Sequence, residues 1–157
     1  MLDLQAIEQI KRLKYLYCYG IDTSDCDILT SVFSEDVSLD YVGGTYRFHV
    51  SGRENAVVAL TAAFHPMLVG SHTVHHPIID VHNNIAEGQW TLVDYAMDLS
   101  RSNLTTVGSA IYRDTYAKKD DVWKICRSTY NRIYERVYVE PDPSITAHFL
   151  SNKERPV

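Results

Sequence analysis

Apolar positions in the first third of the chain recur at intervals of three and four. Ile7, Ile10, Leu13, Tyr17 and Ile21 share one side of a helical wheel, while Glu8, Lys11, Arg12 and Lys14 lie mostly elsewhere on it. That spacing predicts an amphipathic helix. Gly20 and the run Asp22-Thr23-Ser24-Asp25 end it and can cap a short second helix carrying Ile28, Leu29, Val32 and Phe33. Between residues 37 and 50 the pattern shortens to β-rich runs broken by Gly43-Gly44, a hairpin signal. Ser51-Gly52-Arg53-Glu54 reads as a capping box with Ser51 as N-cap. A third helix is expected over residues 56–65, stopped by Pro66.

Beyond residue 70 the pattern is that of strands, at 71–81, 85–98, 104–117 and 122–138. His82-Asn83-Asn84, Ser100 to Asn103 and Lys118-Lys119-Asp120-Asp121 separate them. Connections this short make antiparallel hairpins, because a parallel crossover needs a dozen or more residues. Strands this long must twist and curl. The order helix, helix, hairpin, helix, four-strand meander is an α+β design. A curved, mostly antiparallel sheet wrapped around helices leaves a cone-shaped pocket between the layers. Residues 1–140 form that domain; 141–157, with Pro141, Pro143 and Pro156, are expected to pack on its surface or on a neighbouring subunit.

Composition narrows the class. A length of 157 residues suits one domain with a core. The formal charge of −5, with no basic cluster, argues against nucleic acid as partner. No apolar run approaches the ~20 residues of a membrane span, and the first residues lack the basic and apolar regions of a signal peptide. Cys18, Cys26 and Cys126 are odd in number and lack metal-type spacing, so they read as reduced thiols of a cytoplasmic protein. Eleven tyrosines are many for this length. Tyrosine gives an apolar wall with a polar tip, suited to a cavity for a mostly apolar ligand.

Strand alternation then asks which polar groups face inward. Asp94 shares a face with Ala86, Gly88, Trp90 and Leu92; Arg127 shares one with Trp123, Ile125, Thr129 and Asn131. If the tryptophan sides are concave, Asp94 and Arg127 point into the pocket, as a structural pair or as ligand contacts; Asp98 shares the Asp94 face and is the alternative there. Ser71-His72-Thr73-Val74-His75-His76-Pro77 concentrates three histidines. They admit a metal site, a structural role, or a general base. The Asp22 to Asp27 run lacks the glycine and glutamate of a calcium loop and reads mainly as solvated caps. Asp22 differs: five residues after Tyr17, the helix delivers it to the pocket mouth, where a carboxylate can fix an imidazole. Asn103-Leu104-Thr105 matches a glycosylation sequon by pattern only.

Tyr17-x4-Asp22, His72 opening the first long strand, and Tyr112-Arg-Asp-Thr-Tyr116 before Val122-Trp123-Lys-Ile-Cys-Arg127 together resemble the SnoaL-like branch of the nuclear transport factor 2-like superfamily. The resemblance spans about residues 3–138 and is nearest the scytalone dehydratase, bile acid dehydratase and lindane dehydrochlorinase group. It implies an α+β cone in which Asp22 pairs with His72 and His72 removes a proton from substrate. It further implies that Arg127, Tyr17 and Asp94 bind substrate or assist the leaving group. No histidine stands between His82 and His148, so the second histidine of scytalone dehydratase has no counterpart. The lindane enzyme has lysine where Tyr17 stands, which argues against the same dehalogenation.

These readings point to a dehydratase-type lyase, or an isomerase, that needs neither metal nor organic cofactor and acts on a hydrophobic, cyclic small molecule. The alternative is a non-catalytic ligand-binding or assembly module of the same fold. An open cavity with Asp22 and His72 in contact favours the first; a filled one, or separated groups, favours the second. Long edge strands suggest a homo-oligomer, trimer before dimer.

Overall fold

The computed structural model describes residues 2–152. Its elements run α1 (Leu4–Asp22), α2 (Cys26–Val32), β1 (Phe33–Val42), β2 (Arg47–Ser51), α3 (Arg53–Ala63), β3 (Leu68–His82), β4 (Ile85–Asp98), β5 (Leu104–Lys119) and β6 (Val122–Val139). Short 3-10 turns occupy Leu99–Arg101 and Leu150–Asn152. The six strands form one curled mixed sheet in the order β2-β1-β6-β5-β4-β3. All neighbours are antiparallel except β1 and β6, which run parallel. The fold is the expected α+β cone, with α1 packed against β3, α2 and β6. No helix among the described residues is long and apolar enough to cross a membrane.

The expected stripe of α1 is buried at Ile10, Leu13, Tyr17 and Ile21. Its end is a Schellman turn: Asp25 N–H donates to the Gly20 carbonyl at 2.8 Å and Ser24 N–H to the Ile21 carbonyl at 2.9 Å. Ser24 takes the left-handed position at φ 50°, and the chain turns sharply just after Asp22. Gly20 lets α2 approach, since a Cβ there would sit 3.0 Å from Ile28.

Three local expectations are corrected. Phe33 opens β1 and does not close the second helix, its φ and ψ being extended. The N-cap of α3 is Gly52 at φ 86°, with no side-chain cap bond; Ser51 stays paired in β2. Lys14 is not on the solvent side: its side chain is fully buried, with Nζ 2.8 Å from Asp114 and 3.4 Å from the Tyr112 ring centroid. A buried charge demands such a partner, and Asp114 is further satisfied by the Ser128 and Tyr116 hydroxyls at 2.6 and 2.8 Å.

After β6 the chain turns back over the domain. Glu140 N–H donates to the Asn103 carbonyl, the His148 Nε2 is 2.9 Å from the Leu68 carbonyl, and Leu150 is buried. Residues 153–157, including Pro156, lie outside the described residues, as does Met1.

Candidate active site

Between the helices and the concave face lies a cavity of about 260 Å³. Tyr17, Tyr41, Tyr46, Phe48, Phe64, Tyr112 and Tyr130 make most of its wall, with Ile21, Leu60 and Leu68 filling between them. The aromatic groups brace one another. Tyr41 and Tyr130 stack with centroids 4.6 Å apart and planes 3° from parallel, and Tyr112 meets both edge-on. Such contacts hold rings in fixed orientations beyond what area burial alone provides.

His72 and Asp22 meet at the rim of this chamber. Asp22 is the last residue of α1, and His72 comes from β3, where it faces inward beside Val74. The carboxylate engages the histidine twice: Oδ1 is 2.6 Å from Nδ1, and Oδ2 accepts from the His72 backbone N–H at 2.9 Å. Side-chain exposure is 12% for His72 and 25% for Asp22. With a carboxylate as acceptor Nδ1 carries a hydrogen, so that in the neutral form of the ring the lone pair falls on Nε2. Phe64 packs against the ring at 5.4 Å between centroids.

The other polar end is built across the sheet. His72 on β3 is the register partner of Asp94 on β4, Asp94 of Gly108 on β5, and Gly108 of Glu135 on β6. Asp94 lines the cavity, but its partner is not Arg127. A bulge at Cys126 puts one extra residue into β6, because Thr115 pairs with Arg127 and Tyr116 with Ile125. Side chains alternate with a period of two, so one insertion moves every later residue to the other face. Trp123 and Ile125 face inward as expected; Arg127 is exposed on the outer face in a groove with Asp80, Glu87 and Arg113. Ser128, Tyr130 and Arg132 take the inner positions.

Arg132 therefore holds the place expected for Arg127. Its Nη1 and Nη2 donate to the Asp94 Oδ1 and Oδ2 at 2.5 and 2.9 Å, and Nη2 also donates to the Tyr46 Oη at 2.8 Å. Burial opposes the cation, but the Asp94 hydrogen bond and charge leave the guanidinium raised above its usual range. Gly108 makes this possible: a Cβ there would lie 2.8 Å from Arg132 Nη1 and 2.8 Å from the Tyr134 carbonyl. Tyr46 is hydrogen-bonded in turn to Tyr130.

Tyr17 is fully buried, with its hydroxyl 2.5 Å from that of Tyr41. Burial pushes the pKa of both well above the ordinary range, so both are neutral phenols. Further hydrogen bonds tie Tyr41 to Ser128 and Tyr17 to Tyr112. His75 and His76 sit at a bulge in β3, His76 at φ 53°, and their rings contact each other with Nδ1 atoms 3.1 Å apart. Asp98 caps the following turn through Ser100. The residues missed by sequence reading are Tyr41, Tyr46, Tyr130, Arg132 and Glu135. Alternation of Tyr130 and Arg132 against polar Thr129 and Asn131 was the available signal.

A family model described as a SnoaL-like domain matches residues 3–129. Among solved structures, a scytalone dehydratase-like protein of Novosphingobium aromaticivorans is 20% identical with a TM-score of 0.74, over 98% of this chain and 97% of that one. The type 3 hexachlorocyclohexane dehydrochlorinase of Novosphingobium barchaimii is 18% identical with a TM-score of 0.73, over 86% and 91% of the two chains. A nuclear transport factor 2-like superfamily protein of Salmonella enterica is 18% identical with a TM-score of 0.68, over 80% and 89%. At these identities the likeness is one of fold.

Proposed function

Since the chain belongs to the SnoaL-like domain family, we propose that it is a dehydratase-type lyase, or an isomerase using the same groups, that acts on a compact cyclic small molecule. The observation that carries this reading is the doubly anchored Asp22–His72 pair at the rim of an open, aromatic-walled cavity. A binding or assembly module would have no need of an imidazole anchored twice by a carboxylate on the wall of a cavity. The scytalone dehydratase-like protein and the dehydrochlorinase among the structural neighbours fit the same reading.

In the proposed reaction, His72 Nε2 removes a proton from the carbon next to a carbonyl or similar activating group. Asp22 and the C-terminal carbonyls of α1 stabilise the positive charge that develops on the ring. A hydroxyl of the Tyr17–Tyr41 pair, or an N–H of Arg132, receives the oxyanion or the departing hydroxyl. Asp94 positions Arg132. A placed general base supplies about 10²–10⁴-fold in rate, and each preorganised donor a comparable factor.

The test uses 3-hydroxy-1-tetralone, a compact bicyclic β-hydroxy ketone. Loss of a C2 proton and the C3 hydroxyl as water leaves an enone that tautomerises to 1-naphthol, followed by its fluorescence. The protein should accelerate formation of 1-naphthol, and His72→Ala should abolish the acceleration while the circular dichroism stays unchanged. Acceleration that persists in a folded His72→Ala protein would reject His72 as the base.

A further inference from the structure

The second polar end of the chamber carries more acid than its arginine requires. Beyond the fork to Asp94, the Arg132 Nε donates to the Glu135 Oε2 at 3.1 Å. The three side chains are 8%, 10% and 6% exposed in the order Arg132, Asp94 and Glu135. Glu135 is itself anchored by Thr45, whose hydroxyl donates to Oε1 at 3.2 Å. Its approach follows from a second bulge in β6: Ser109 pairs with Tyr134 and Ala110 with Arg132, so Ile133 is extra and Glu135 returns to the inner face.

An arginine recognises carboxylate or phosphate through a free, bidentate fork. Here Asp94 occupies both terminal nitrogens, Glu135 occupies Nε, and Tyr46 takes a further hydrogen. One of the five guanidinium hydrogens is left to donate. Two carboxylates, those of Asp94 and Glu135, are thus set against one guanidinium. Among the described residues Lys14 is a further buried cation, but it lies beneath the Tyr112 ring against Asp114 and does not line the cavity.

Resting on the reading of this cavity as the substrate chamber, we infer that Glu135, together with Asp94, sets its charge specificity. The two acids turn Arg132 from an anion receptor into a single-point hydrogen-bond donor. The chamber therefore accepts uncharged ring compounds bearing a hydroxyl or carbonyl, and turns carboxylates away. Glu135 touches no ligand on this account; it acts through Arg132.

Binding of a matched pair of probes tests this without reference to turnover. Near pH 7, 2-naphthol is neutral and 2-naphthoate is an anion of nearly the same shape. Both are smaller than the drug-sized ligands of cavities of about 300–1,000 Å³, in keeping with a chamber of about 260 Å³. Isothermal titration should give wild-type protein a preference for 2-naphthol of at least about tenfold, as expected for one unbalanced charge at short range. Glu135→Gln keeps the shape and an acceptor for Nε but removes the charge, and should reduce the ratio by about tenfold, mainly by tightening naphthoate. Equal or tighter binding of naphthoate by the wild type would overturn the inference, as would failure of 2-naphthol to bind or a ratio unmoved in a folded Glu135→Gln protein. A protein that prefers 2-naphthol yet fails to dehydrate the tetralone would count against the lyase reading and leave this inference standing.

Discussion

Asp22→Asn isolates the electrostatic part of the dyad from its shape. The side chain keeps its size, and the amide oxygen can still accept from the His72 backbone N–H, now 2.9 Å from Oδ2. The amide nitrogen then faces Nδ1, where Oδ1 now stands at 2.6 Å. Two donors cannot share that bond, so the ring hydrogen moves to Nε2 and the lone pair of the base turns away from the chamber. A unit charge pair at about 4 Å is worth about 4 kcal/mol at an effective dielectric of 20. Asp22 is one-quarter exposed, and solvent screening trims that to about 3 kcal/mol in the transition state. The expected loss is about 10²–10³-fold in dehydration of 3-hydroxy-1-tetralone, each tenfold step corresponding to about 1.4 kcal/mol. Stability to urea should fall by no more than about 1–2 kcal/mol, the cost of one weakened hydrogen bond. Nitrogen-15 NMR of the imidazole should show the hydrogen on Nδ1 in the wild type and on Nε2 in the variant. A variant that turns over within threefold of the wild type with its tautomer switched would refute the reasoning.

Two further outcomes follow from the same geometry. Arg132→Ala should lower dehydration by about 10²-fold, as loss of one preorganised donor does, whereas Arg127→Ala on the outer face should leave it within twofold; equal losses would show that the bulge at Cys126 is misplaced. Burial pushes the Cys18 thiol up to about 12 from an ordinary value of 9.0, so the folded state holds a proton that the unfolded state releases. The contribution is then fully present below about pH 9 and is lost as pH rises from 9 through 12. Urea midpoints measured from pH 8 to 10.5 should decline above pH 9, and less steeply in Cys18→Ala; parallel curves for the two proteins would contradict the assignment.

Much of this was legible in the chain. The stripe from Ile7 to Ile21, the turn formers after Asp22, and the four long strands with short connections sufficed for the cone, because each is a local pattern with a fixed period. Asp22 at the helix end and Asp94 on β4 could be placed for the same reason, whereas His72 is singled out among three neighbouring histidines only by the family resemblance. Arg132 could not. Its inward position depends on one inserted residue at Cys126, and the pairing that reveals the insertion lies on β5, which the sequence of β6 alone does not report. The Ile133 insertion hid Glu135 in the same way. Lys14 stands at the margin of the apolar stripe, where a helical wheel assigns a lysine to solvent. Only Asp114, one hundred residues later on β5, explains its burial. The Ser51 capping box failed because β2 continues to Ser51 and leaves Gly52, with its positive φ, to begin the helix.

The central claim is that His72, set by Asp22, takes a proton from carbon inside the tyrosine-walled chamber. The most direct measurement separates that step from any leaving group: 1-tetralone, which has an acidic C2 position and nothing to expel, is incubated with the protein in deuterium oxide and followed by proton NMR. The account predicts catalysed loss of the C2 signal, favouring one of the two prochiral hydrogens, and its disappearance in His72→Ala. Exchange no faster than in buffer, or equal in the wild type and His72→Ala, would contradict it.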